Sequence, residues 1–287
     1  MARYWGLNIR IDGTWIQTDA DGNTTRNPQS ASYEVNTQDQ LRLIAGSRVG
    51  GVLIRLINGA PGTVEIRPLQ DALLRETSEA PVFGDRAVAP VATTEYARNV
   101  AKGSNLCVPY RCEGDGSDCT VWFQPTTWVS GSKAKSSADP DNHTRPDDVL
   151  FHELVHALRA LRGVFDNKGR MGFGFDSFEE FVAVMLTNIY LADNGRLNDM
   201  RWGHSIPFLP MTEGRGPFGK VQSDGGFYTC FDTEIDALAV RMPDLCDQIA
   251  TVGQGWNPLR VRKDQERHKG NDPRWGPAVS PSWSAPR

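Results

Sequence analysis

Two histidines and a glutamate near the middle of the chain have the types and the spacing of a metal-dependent hydrolase. His152 and His156 are four residues apart, and Glu153 lies between them. On a helix, residues i and i+4 lie on the same face, so both imidazoles can bind one ion. Glu153 lies about 100° round the helix, at the edge of that face. This HExxH pattern predicts zinc held by the two histidines, with the glutamate as general base.

The alternative for the same residues is a solvated helix face on which Glu153 pairs with Arg159 or another cation. The neighbours of the motif are apolar on both sides, which indicates a buried helix. Buried histidines and a buried carboxylate are costly unless they are paired or bind a metal. Zinc lowers the pKa of bound water toward neutrality, so Glu153 can take its proton as the water attacks a polarised carbonyl. We therefore expect a catalytic zinc site.

A third zinc ligand must come from outside the motif, because catalytic zinc has three protein ligands and an open position. Residues 157–162 contain no histidine, so the HExxHxxGxxH spacing is absent. The next predicted helix offers Glu179 and Glu180. The helix face that carries Glu180 has a small residue and then polar ones, whereas the helix face that carries Glu179 is more apolar. We predict Glu180 as the ligand and keep Glu179 as the alternative. Either one could instead only occupy the first turn of its helix, where acidic residues are favoured.

Two helices should hold these residues. Pro146 suits the first turn of a helix, and Gly163 is a plausible end. A second helical pattern covers residues 177–192, and Gly195 follows it. Residues 120–129 are β-branched and aromatic, which predicts a strand at the edge of the active cleft, where an extended peptide could add by main-chain pairing.

The first 100 residues show mainly strand patterns. Apolar and polar residues alternate over residues 7–11, and residues 52–57, which are apolar apart from Arg55, are typical of a largely buried strand. A short helix is predicted at 90–100. The fold class that we expect is α+β, with a zincin-like catalytic core built from an antiparallel sheet and an active-site helix, preceded by a β-rich N-terminal region.

Three parts follow from these patterns. Residues 1–100 form the β-rich N-terminal region, residues 101–256 the zincin-like metallopeptidase core, and residues 257–287 a Pro-rich, charged C-terminal tail. The tail has too little apolar periodicity to form a core of its own.

Composition excludes several classes of protein. The formal net charge of −4 gives no indication of a nucleic-acid partner. No apolar run reaches the roughly 18 residues that a membrane span needs. The first 13 residues lack the basic-then-apolar pattern of a secretory signal. The protein is therefore expected either to be secreted without a cleaved signal peptide or to remain in the cytoplasm.

Five cysteines leave the redox compartment open. Cys107, Cys112 and Cys119 cluster, and Cys230 and Cys246 lie far downstream. The first cluster is not a CxxC pair, which disfavours a structural zinc site. Disulfides and buried free thiols remain the alternatives.

The segments HELVHAL at residues 152–158 and FEEFVAV at residues 178–184 resemble the gluzincin-type bacterial effector metallopeptidases, which include the NleD-like type III effectors. In that group HExxH is followed by a glutamate on a downstream helix. The similarity covers roughly residues 120–192, while the first 100 residues and the C-terminal third show nothing of that family. The resemblance implies a zincin core and delivery into another cell as a toxin.

The leading interpretation is a zinc-dependent endopeptidase that hydrolyses a protein or peptide substrate, as a bacterial secreted effector or toxin. A secretion machine and an immunity protein are candidate further partners. The alternatives are a cytoplasmic housekeeping metallopeptidase and a non-enzymatic binding module that zinc only braces. Weaker site candidates are His204, to assist the transition state, and the hydroxyls of Tyr190 and Tyr228, as donors to the oxyanion.

Overall fold

The computed structural model describes residues 3–14, 16–18, 24–26, 30–68, 92–96, 116, 118–123, 125, 134–136, 139–166, 175, 177–201 and 223–271. Its strands are β1 (Arg3–Trp5), β2 (Ile9–Ile11), β3 (Ile16–Thr18), β4 (Thr24–Arg26), β5 (Val64–Pro68), β6 (Ala92–Tyr96), β7 (Cys119–Phe123), β8 (Ala134–Ser136) and β9 (Asp139–Thr144). Its helices are α1 (Ser30–Gly46), α2 (Arg48–Asn58), α3 (Pro146–Leu161), α4 (Phe178–Asp193), α5 (Asp224–Cys230), α6 (Asp232–Arg241), α7 (Pro243–Val252) and α8 (Pro258–Asn271), with a 3-10 turn at Leu197–Asp199.

The main sheet is mixed, with strand order β1-β2-β5-β7-β6. The three central strands are parallel, with Ile9 opposite Val64 and Val64 opposite Cys119. The outer strands β1 and β6 run antiparallel to their neighbours. The prediction of an α+β fold is therefore confirmed, but the prediction of an antiparallel sheet was wrong. Parallel pairing needs a crossover connection, and helices α1 and α2 lie between β2 and β5 in the chain.

The N-terminal region is less β-rich than predicted, because residues 52–57 lie in helix α2. Ser47 caps this helix by accepting a hydrogen bond from the backbone N–H of Gly50 (2.9 Å). A Cβ added to Gly50 would lie 2.0 Å from the carbonyl oxygen of Ile44, so only glycine allows α1 and α2 to approach this closely. Six residues that are apolar apart from Arg55 have no readable period, which is why a buried helix was taken for a buried strand.

Two further strand predictions change in the structure. Strand β7 holds residues 119–123 and lies between β5 and β6, so this part of the strand predicted at 120–129 is not at the edge of the sheet. The edge strand next to β7 is β6, at residues 92–96, where a short helix was predicted. A β-strand and a helix of five residues are hard to distinguish by period, and pairing with β7 decided the outcome.

Helix α3 lies at the centre of the packing. It contacts α1, α2 and α4 as well as strands β6 and β7. Its residues from Leu150 to Leu161 are all buried. The predicted ends are confirmed: Pro146 opens the helix, and Gly163 follows it with φ of +67°. The predicted second helix is likewise confirmed as α4, which Ser177 caps through the backbone N–H of Glu180 (3.2 Å).

Residues 224–271 form four helices that pack on the same core. Helix α8 was not predicted, and its first turn is held by Asn257, whose side-chain oxygen accepts from the backbone N–H of Arg260 (3.2 Å). Leu259 is buried in the core. The division of the chain at residues 100 and 256 stays a prediction. No helix within the described ranges is long and apolar enough to span a membrane.

Candidate metal centre

Helices α3 and α4 pack against each other and bring three potential metal ligands together. His152 and His156 come from α3 and Glu180 from the first turn of α4. One ligand atom from each of the three lies within 4.8 Å of the other two. Both histidines are buried, and the side chain of Glu180 is 19% exposed, so the group lies just beneath the surface.

The separations suit a small tetrahedral ion. The two Nε2 atoms are 3.0 Å apart. Glu180 Oε2 lies 3.3 Å from Nε2 of His152, and its Oε1 lies 3.5 Å from Nε2 of His156. Ligands about 2.0–2.1 Å from a tetrahedral zinc ion lie about 3.3 Å from one another. Two imidazoles and one carboxylate are also the ligand set of many catalytic zinc sites. The residues present therefore fit zinc.

The other ring nitrogen of His156 faces a second glutamate. His156 Nδ1 is 3.1 Å from Oε1 of Glu179. Arg159 Nε donates to both carboxylate oxygens of Glu179, at 2.9 and 2.7 Å. The backbone N–H of Asp166 donates to Oε2 at 3.0 Å. Glu179 thus lies on the far side of the imidazole from Glu180 and is outside the three-residue group.

Electrostatics differ between the two imidazoles. Burial lowers the pKa of His152, although the hydrogen bond and charge of Glu180 act in the opposite direction. Burial also acts to lower the pKa of His156, but the hydrogen bond to Glu179 and the charges of both glutamates outweigh it and raise the pKa to about 9. The contact of Nδ1 with the carboxylate of Glu179 favours a proton on Nδ1, while Nε2 faces the other two members of the group.

The carboxyl group of Glu179 is held in its ionised form. Burial acts to raise the pKa of Glu179, but the charge of Arg159 and the hydrogen bonds from His156 and from the backbone of Asp166 outweigh it. The pKa therefore lies below its ordinary value. The buried charge of Arg159 and that of Glu179 compensate each other within the core.

Glu153 is buried beside the histidines without belonging to the group. Only 8% of the residue is exposed. Its negative charge acts to raise the pKa of His152 and of His156, with a smaller effect than that of Glu180 at His152 and of Glu179 and Glu180 at His156. A buried carboxylate that adjoins the histidines in sequence and is not one of the three potential ligands is the kind of group that can serve as a base beside a metal.

Sequence reasoning missed the partner of Arg159. The alternative for the motif paired Arg159 with Glu153, whereas the structure pairs it with Glu179. Arg159 is fully buried, its Nη2 donates to the carbonyl oxygen of Val164 (2.8 Å), and its guanidinium lies over the ring of Phe178 (5.4 Å). One arginine within an otherwise apolar helix stretch was the available signal, because a buried guanidinium requires a buried carboxylate.

The weaker candidates lie elsewhere. Tyr190 donates its hydroxyl hydrogen to Oδ2 of Asp147 (2.7 Å), at the N-terminal end of α3. Tyr228 lies in α5, where burial and then the charge of Asp236 raise the pKa of its phenol. His204 lies outside the described residues.

Three of the five cysteines can be described. Cys119, Cys230 and Cys246 are free thiols; the first and last are buried, and Cys230 is exposed. Cys107 and Cys112 lie outside the described residues. Among the residues that the structure does describe, the single group able to hold a metal ion is His152, His156 and Glu180.

Comparison with known proteins agrees with this geometry. No curated protein and no solved structure matches the chain. The family Peptidase_M91, described as effector protein, matches residues 21–187. That range contains the HExxH helix, Glu180 and most of α4. It starts far earlier than the resemblance at residues 120–192, so the expectation that the first 100 residues show nothing of the family was wrong. On this match, the chain belongs to the Peptidase_M91 family of effector proteins.

Proposed function

We propose that this chain is a zinc-dependent endopeptidase that cleaves a protein substrate. His152, His156 and Glu180 would hold the ion, and Glu153 would be the general base. The observation that carries the proposal is the convergence of three ligand atoms within 4.8 Å at the junction of α3 and α4. Membership of a peptidase family of effectors supports peptide hydrolysis and a protein substrate. A bound zinc ion supplies a Lewis acid for a peptide carbonyl and makes a water molecule easier to deprotonate.

Each residue then has one task. The histidines present Nε2 atoms 3.0 Å apart, and Glu180 completes the set with a carboxylate that is still partly exposed to solvent. Glu153 takes a proton from the water that attacks the peptide carbonyl carbon. As the C–N bond breaks, the same carboxyl group returns a proton to the leaving nitrogen, which restores the carboxylate.

The membership of an effector family also supports a place of action. We propose that the chain acts in another cell after transfer by a secretion machine. Its substrate is then a protein of the recipient cell, and an immunity protein in the producing cell would be needed if the target occurs there as well.

The decisive experiment compares wild type with Glu153→Gln. Gln is nearly the same shape but cannot accept the proton, so turnover should fall by at least about 10²–10⁴-fold. Zinc content and melting temperature should stay unchanged. Cleaved termini in a lysate of candidate target cells, identified by mass spectrometry, report turnover. Glu266→Gln is the matched control, because Glu266 is an exposed carboxylate in α8 that pairs with Arg262. Activity of Glu153→Gln within a few-fold of wild type would contradict the mechanism.

A further inference from the structure

The carboxylate of Glu179 is among the most completely enclosed polar groups that the structure describes. The residue is 0% exposed. Oε1 contacts His156 Nδ1 and Arg159 Nε, at 3.1 and 2.9 Å. Oε2 contacts Arg159 Nε and the backbone N–H of Asp166, at 2.7 and 3.0 Å. A carboxylate has about four lone-pair positions, so these contacts leave it no other orientation that satisfies its neighbours.

The groups that hold Glu179 are themselves fixed. Arg159 follows His156 by one turn of α3, so the helix sets the distance between them. The backbone around Asp166 is tied from both sides, since its carbonyl oxygen accepts from the backbone N–H of Glu179 (3.1 Å) and its side chain pairs with Arg241 (3.4 Å). The side chains of Asp166 and Arg241 are only 2% and 3% exposed.

This arrangement acts on one nitrogen of one imidazole. A hydrogen bond from Nδ1–H of His156 to a carboxylate fixes the tautomer and the ring angle, and it makes Nε2 a stronger electron donor. Nε2 is the atom that faces His152 and Glu180. Glu179 and Glu180, which are adjacent in α4, therefore contact opposite edges of the imidazole ring of His156.

We propose that Glu179 is a positioning residue, locked by Arg159, that directs the lone pair of His156 Nε2 into the metal site. The inference rests on the proposed function, because it assumes that His156 is a ligand. It assigns the two neighbouring glutamates different tasks: Glu180 contacts the ion, and Glu179 holds a ligand. The same assignment makes Arg159 part of the apparatus that shapes the site, although it contacts neither substrate nor metal.

The test measures zinc affinity of the full chain by competition with a chelator, without any activity assay. Glu179→Gln should bind zinc about 10–100-fold more weakly than wild type, the usual effect of losing such a partner. The double variant R159M/E179L removes both charges and the acceptor together, so it leaves no unpaired charge in the core. It should show a zinc affinity at least as low as that of Glu179→Gln. Asp244→Asn, which breaks a half-exposed ion pair to Arg162 of the same helix, should bind zinc like wild type.

The Co²⁺-loaded proteins provide a second readout. Loss of the hydrogen bond should shift the visible absorption bands of Co²⁺, and Asp244→Asn should leave them unchanged. Wild-type affinity in R159M/E179L would overturn the inference, as would weaker binding without any change in the bands. If the double variant does not fold, Glu179→Gln decides by the same two criteria. Failure of the proposed function would look different, because wild type would then bind no zinc that depends on His152 and His156.

Discussion

The buried pair of Arg159 and Glu179 allows a sharp test of how the site is held. We expect Arg159→Met to destabilise the protein far more than Arg162→Met, although both arginines lie at the C-terminal end of α3 and both pair with a carboxylate. The side chains of Arg159 and Glu179 are 0% and 1% exposed, whereas those of Arg162 and Asp244 are 22% and 43% exposed. Solvent screens the second pair and is excluded from the first.

The magnitudes follow from burial. Removal of one partner from a buried ion pair leaves an uncompensated charge and costs about 3–5 kcal/mol. An exposed ion pair contributes about 0–1 kcal/mol. Native proteins have a total free energy of unfolding of about 5–15 kcal/mol, so Arg159→Met removes a large share of it and Arg162→Met does not. The melting temperature of Arg159→Met should fall by on the order of 10 °C.

Urea denaturation of the metal-free proteins measures both free energies, and a chelator removes any contribution of bound metal. The pH dependence gives a second check. In wild type, burial acts to raise the pKa of Glu179, but the charge of Arg159 outweighs it, so the pKa in the folded protein lies below the ordinary value of 4.5. The ionised carboxylate therefore stabilises the fold above pH 4.5. This stabilisation is lost as the pH falls through the pKa of Glu179 in the folded protein. Without Arg159, burial favours the protonated form. The difference in free energy of unfolding between wild type and Arg159→Met should therefore shrink as the pH falls from 7 toward 4.

Equal losses of unfolding free energy in Arg159→Met and Arg162→Met would refute this reasoning, since solvent exposure would then not determine the strength of the ion pairs. A difference that grows toward low pH would refute the assignment of Glu179 as a buried anion.

Other variants test the site and the core. Purified wild type should hold about one zinc ion per chain, the usual stoichiometry of such a site, and H152A/H156A should hold none by metal analysis; retained zinc would put the site elsewhere. Glu180→Ala should weaken zinc binding by far more than Glu179→Gln does, because it removes a ligand rather than the partner of one; a normal zinc affinity in Glu180→Ala would disprove the ligand assignment. Phe181→Ala should lower the free energy of unfolding, measured by urea denaturation, by about 3–5 kcal/mol, because this fully buried ring packs on Phe227 and Phe231. A loss below about 1 kcal/mol would mean that the C-terminal helices do not pack on α4 as described.

Local sequence patterns were sufficient to predict most of helix α3. The i and i+4 spacing of His152 and His156 places both rings on one face whatever the rest of the chain does. Pro146 and Gly163 act on the backbone of their own turn, so both ends of α3 could be predicted. The extent of α4 was readable for the same reason, because Ser177 caps its start and Gly195 follows its end.

The sheet could not be read from local patterns, because its strand directions depend on pairing between distant segments. Residues 52–57 are apolar apart from Arg55 and fit a buried helix as well as a buried strand. Once that segment is a helix, β2 and β5 are joined by a crossover and pair in parallel. Strand β7 is then enclosed by β5 and β6, and the predicted edge moves to residues 92–96.

Helical spacing and composition were enough to predict that an HExxH motif lies on a buried helix and that two acidic residues begin the helix after it. Which glutamate faces which nitrogen was decided only in the tertiary structure. Glu179 and Glu180 differ by about 100° in helical phase, and the angle at which α4 packs on α3 turns Glu180 toward the two Nε2 atoms and Glu179 toward Nδ1 of His156. The partner of Arg159 was decided in the same way, since it comes from a helix 20 residues further along the chain.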